Sequence, residues 1–150
     1  MRFQIRVIIS LILLLWCAGI FIEWFLPYEN NLLFGLPFLQ KSYSLVCHQQ
    51  KAKLILFDHG ETLVCARCTG IYLGFLFSSV IVLFKMPKEK PRLKFLYLAA
   101  VPMIIDVILY SFGFYRYSKP AAFITGLLLG SVGFLYLYAG LNNLIRELKN

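Results

Sequence analysis

Four long apolar runs, separated by polar stretches of very unequal length, divide the chain. They are roughly Val7–Phe25, Thr69–Phe84, Phe95–Phe112 and Ala121–Leu141. Each lacks charge over most of the ~20 residues that a helix needs to cross a bilayer. A lone strand would leave backbone N–H and C=O groups unpaired in hydrocarbon, so each run is predicted to be helical. The pattern therefore predicts an all-α polytopic membrane protein, a four-helix bundle forming one domain over residues 1–150, with no internal repeat or low-complexity tract.

The loop between the first two runs, about Leu26 to Val64, is the longest polar stretch and has a pattern of its own. Trp24 and Tyr28 suit an interfacial aromatic belt, and Pro27 and Pro37 interrupt the chain. Phe38 to Gln50 reads as a short amphipathic helix on the membrane, with Phe38, Leu39, Leu45 and Val46 as its apolar side. Leu54 to Phe57 and Glu61 to Val64, either side of Asp58-His59-Gly60, read as a hairpin that returns the chain toward Cys47. Small residues recur every four positions in the second run (Ala66, Gly70, Gly74, Ser78) and the fourth (Ala122, Gly126, Gly130). Such stripes let backbones approach closely, between these two helices or between copies of the chain in a homo-oligomer.

Composition agrees with a membrane class: 60% of residues are hydrophobic, 15% are charged, and the mean hydropathy is +0.75. A soluble domain of this length needs more polar surface. The net charge of +8 is a topology signal. Arg2 and Arg6 precede the first run, Lys85, Lys88, Lys90, Arg92 and Lys94 crowd the link after the second, and Arg146 and Lys149 follow the fourth. The link after the third carries only Arg116 and Lys119. The positive-inside rule then puts both termini in the cytoplasm and the long loop outside, in the cytoplasmic (inner) membrane. The Lys85–Lys94 link is expected to attract anionic lipid heads. No soluble basic face suggests a nucleic-acid partner. A cleaved signal peptide fits poorly, since the first apolar run is too long, and Trp16 stands before Cys17 where a lipoprotein signal has a small residue.

Reactive side chains cluster in one place. Cys47-His48 lies in the loop, and Cys65-Ala66-Arg67-Cys68 leads into the second run through Thr69-Gly70. The Cys-x-x-Cys spacing suits one metal held through a tight turn, with Gly70 loosening the backbone. Cys47 and His48 complete a four-ligand set, for which zinc is the expected metal, and His59 is a spare ligand. Redox chemistry is the rival: a Cys-x-x-Cys at a helix N-terminus beside Arg67 favours thiolate. A structural disulfide with a leftover thiol is the third alternative.

Asp106 is the second feature. It lies inside the third run, where a carboxylate is costly and normally faces the bundle interior or water. Pro102, four residues earlier, is expected to kink that helix toward the site. Arg67, Arg116 and Glu23 are candidate partners. Asp106 and Arg67 are the candidates for any catalytic role, as a proton relay or a hold on a substrate head, and Tyr72 is a candidate cavity residue.

Cys47-His48-Gln49 and the run Val64-Cys65-Ala66-Arg67-Cys68-Thr69-Gly70-Ile71-Tyr72-Leu73-Gly74 resemble an uncharacterised prokaryotic membrane family, domain of unknown function 2085. Pro102 to Asp106, and Arg116 through Thr125-Gly126 to Gly130, resemble that family's later motifs. The family usually has an arginine and an aromatic residue after the Cys-His-Gln motif, where Lys53-Leu54-Ile55 stands here. It also has polar residues after the outer arginine, where this chain has Ser118-Lys119-Pro120. The resemblance implies a site and not a reaction. The arrangement is also similar to quinone-coupled disulfide-generating membrane enzymes, in which Arg67 would sit near a quinone head, although such enzymes need a second cysteine pair and this chain adds only Cys47. The sequence thus implies a membrane protein built around an outer Cys/His metal site, with a thiol-disulfide oxidoreductase and a disulfide-bearing scaffold as alternatives.

Overall fold

The computed structural model describes residues 3–25, 35–57, 60–84 and 92–147. In chain order these form α1 (Phe3–Ile20), α2 (Ile22–Phe25), α3 (Leu36–Ser44), a 3-10 turn (Lys51–Lys53), β1 (Leu54–Phe57), β2 (Gly60–Cys65), α4 (Ala66–Phe84), α5 (Leu93–Ser111) and α6 (Lys119–Glu147). Four of the helices, α1, α4, α5 and α6, are long and apolar enough to cross a membrane.

The ends of these helices depart from the sequence pattern in ways that matter for the site. The first run breaks at Phe21 rather than continuing to Phe25. Just before the break, the Tyr43 hydroxyl donates 2.7 Å to the Trp16 carbonyl, which anchors α3 to α1. The second helix begins at Ala66, not Thr69, because β2 runs into it without a linker. Gly70 accordingly lies inside a helix and is not part of a metal-binding turn. The fourth helix continues past Leu141 to Glu147, since residues such as Asn142 and Arg146 end the apolar run without ending the helix.

α4 and α6 form the central pair, with α1 packed mainly on α4 and α5 mainly on α6. The small-residue stripes form the central seam. A Cβ added to Gly70 would lie 2.2 Å from the Phe123 carbonyl oxygen, and one added to Gly130 would lie 2.2 Å from that of Ile71. Only glycine allows this approach, which exchanges side-chain bulk for extensive backbone van der Waals contact where lipid supplies no hydrophobic drive. Ser78 continues the seam by donating 2.8 Å to the Ser131 carbonyl. α5 is the least embedded span: within it only Ala99 and Asp106 are buried.

The loop folds onto one end of this assembly. Pro37 sits in the first turn of α3, where a missing N–H costs nothing. Tyr43 and Leu39 turn inward, so that Ile20, Tyr43, Cys47, Leu63 and Val64 make a small core with Trp16 and Tyr72 against it. Phe38 is exposed on α3, which ends at Ser44 rather than Gln50, so the exposed Leu45 and Val46 follow the helix instead of lying on it. β1 and β2 pair antiparallel, with Leu54 opposite Cys65 and a register irregularity between Leu54 and Leu56. Thr62 bridges that irregularity: its hydroxyl accepts from the Ile55 N–H at 3.0 Å and donates to the Val64 carbonyl at 2.8 Å.

Candidate metal centre

Three local structures deliver three sulfurs to one point. Cys47 ends the turn that closes α3, its N–H donating 2.9 Å to the Tyr43 carbonyl. Cys65 is the last residue of β2, and Cys68 lies in the first turn of α4. The three Sγ atoms all lie within 4.8 Å of one another. All four cysteines are unbridged, and Cys17 stands apart on α1, donating to the Tyr72 carbonyl at 3.5 Å. Tyr72 packs edge-on against Trp16 and belongs to the core under the site.

The local electrostatics favour a thiolate at Cys47. The neighbouring Cys65 thiol above all, and then Cys68, hold the Cys47 thiol well below its usual range despite its burial. The backbone N–H of Cys65 adds a further bond at 3.2 Å. Cys65 is pushed up, chiefly by the neighbouring Cys47 thiol. The cluster therefore shares protons around one preferred anion, beside the positive N-terminal end of α4.

The Cys47 segment is held by Gln49, a residue that the sequence reading quoted in the Cys-His-Gln motif without giving it a task. Its backbone is left-handed, with φ of 46°. Its side-chain amide donates 2.8 Å to the Leu63 carbonyl and 3.1 Å to the Gln40 carbonyl. One amide thus ties α3, the Cys47 turn and β2 together. Its place beside Cys47-His48 was the available signal.

A cavity of ≈ 250 Å³ opens beside the thiols, and its walls include His48, Lys53, Arg67 and Tyr117. His48 is exposed and lies outside the close group of three sulfurs. His59 falls outside the described residues. Lys53 reaches across from the 3-10 turn and lies 4.6 Å from the Tyr110 ring centroid and 5.4 Å from that of Tyr117. Burial first, and then the Cys65 sulfur, push the Tyr117 hydroxyl up to about 12, so it keeps its proton near neutrality.

Arg67 links this cavity to Asp106. Its guanidinium forms an ion pair with the buried Asp106 carboxylate, whose other oxygen accepts from Tyr115. Tyr115 had no distinguishing pattern in the sequence beyond its place next to Arg116. Arg116 itself is exposed. Glu23 serves elsewhere: it accepts from the Glu61 N–H at 3.1 Å and from the Gln40 amide at 3.5 Å, fixing the hairpin to α2.

Residues 47–136, from the first cysteine of the site to the middle of α6, match the family described as predicted membrane protein DUF2085. The chain belongs to that family. It is also 35% identical over 99 residues to an uncharacterized protein of Methanocaldococcus jannaschii, a match covering 63% of this chain and 63% of that relative. The alignment thus spans less than two thirds of the relative's length. No solved structure matches.

Proposed function

We propose that this membrane protein carries a metal centre, most simply zinc, at its extracytoplasmic face. Cys47, Cys65 and Cys68 supply three ligands, and His48 or a molecule in the adjoining cavity supplies the fourth. The observation that carries this reading is the clustering of the sulfurs. Tetrahedral zinc with sulfur at about 2.3 Å places its thiolates roughly 3.8 Å apart, and the three Sγ atoms lie within 4.8 Å of one another. The Cys65 N–H bond to the Cys47 sulfur is the kind of outer contact that orients a metal ligand. Arg67 and Asp106 stand beside the centre as an ion pair, able to orient a bound group or to pass a proton. The side of the membrane follows from the excess of Lys and Arg near both termini and in the link between α4 and α5. Of that link only Arg92 is among the described residues, followed by Lys94 on α5, and attraction of the link to anionic lipid heads remains part of the proposal.

The test is metal analysis of anaerobically purified protein together with a thiol count. One zinc per chain is expected, and Cys65→Ser or Cys68→Ser should each release it, because site formation and local folding are coupled. His48→Ala should weaken binding less if the cavity supplies the fourth ligand. A stoichiometric Cys65–Cys68 disulfide in metal-free protein would overturn the reading. It would favour instead a thiol-disulfide oxidoreductase exchanging electrons with a quinone or partner thiol.

A further inference from the structure

Apart from the three cysteines, the cavity beside the sulfurs has a one-sided polar lining. Lys53, Arg67, His48, Gln50 and Tyr117 all present hydrogen-bond donors, and no carboxylate is among its lining residues. Two of the donors lack protein acceptors. Lys53 has no carboxylate partner among the described residues and rests against the Tyr110 and Tyr117 rings. Arg67 gives one guanidinium nitrogen to Asp106, while its Nε is buried with no hydrogen-bond partner. A buried donor left without an acceptor is costly, so the lining suits a ligand rich in acceptors.

Charge selects among such ligands. Three thiolates on a divalent ion leave one net negative charge, and Asp106 already offsets Arg67. Lys53 is then the cation that brings the surroundings to neutrality and lets an anion approach. Several donors around a small space exceed what the two oxygens of a carboxylate serve and suit the oxygens of a phosphate.

We infer that this cavity binds a phosphate-type oxyanion next to the metal, held by Lys53 and by the Arg67 guanidinium that lines the cavity. This rests on the metal reading above. The oxyanion is either free phosphate or a phosphate ester carried on a lipid headgroup, since the site lies at the end of the membrane spans.

Protein loaded with cobalt(II) in phosphatidylcholine nanodiscs and titrated with inorganic phosphate distinguishes these, with phosphorus NMR relaxation as the readout. A parallel set of nanodiscs contains phosphatidylglycerol. Saturable, cobalt-dependent relaxation of inorganic phosphate would support a free oxyanion. Relaxation confined to phosphatidylglycerol would support the lipid-borne group. In either case Lys53→Gln should weaken the effect at least tenfold at unchanged cobalt content, and Lys53→Arg should restore it. Fully cobalt-loaded protein that relaxes neither phosphorus pool, or a Lys53→Gln variant that responds like wild type, would overturn the inference while leaving the metal centre intact. Failure to bind cobalt at all would fall on the metal centre and take this site with it.

Discussion

Gln49 shows how one residue can set the position of a clustered cysteine, Cys47, without belonging to the cluster. Its left-handed backbone costs of order 1–3 kcal/mol for a residue with a Cβ, and the two bonds made by its amide offset that cost. Gln49→Ala keeps the strain and loses the bonds. It should destabilise the loop by about 1–3 kcal/mol and lower metal affinity roughly 10–100-fold, measured by competition with a chromophoric chelator. Gln49→Gly relaxes the backbone but still lacks the amide, so it should not rescue affinity. If it does, the backbone and not the amide is what positions Cys47. At this scale the sequence disclosed the clustered cysteines better than their supports. Cysteines stand out in an apolar chain by their chemistry. Gln49, Tyr115 and Lys53 act through folded geometry across 9 to 64 positions of sequence, and only Gln49 has neighbours that signal it, the Cys47-His48 pair.

Among the elements, α4 has two duties: its first turn holds Cys68, and its glycine stripe seats α6. Gly130→Val would drive a side chain into the Ile71 backbone, so the helices must separate at a cost of about 1–3 kcal/mol or more. The expected outcome is a lower melting temperature in nanodiscs together with weaker metal retention, because Ile71 follows Cys68 by less than one turn. Retention at wild-type strength would show that the seam and the site are independent. α5 is tied to α4 by the Arg67–Asp106 pair. Asp106→Asn leaves Arg67 without its counter-charge and should cost about 3–5 kcal/mol, read by thermal unfolding. Asp106→Asn combined with Arg67→Gln should recover part of that loss, and a purely additive double variant would mean that the pair is not coupled. The four spans and the hairpin were legible because length, hydropathy and turn residues act locally. The helix ends were not, since Ala66 is set by a strand feeding a helix and α6 begins with Lys119-Pro120 ahead of the apolar run, neither of which alters that run.

For the whole molecule, the basic residues predict that Cys47 and Cys65 face the outside. After metal removal and reduction, a membrane-impermeant maleimide should label them in intact cells, and labelling only after the membrane is opened would reverse the orientation. A last consequence concerns the order of synthesis. Every sulfur of the cluster lies between Cys47 and Cys68, so all three have emerged once α4 has begun to be made. The helix that clamps α4 is α6, which is made after α5. The clustered cysteines are thus made early and the helix seated against α4 later, so a newly made chain passes through a stage in which all three thiols are present before the clamp has closed.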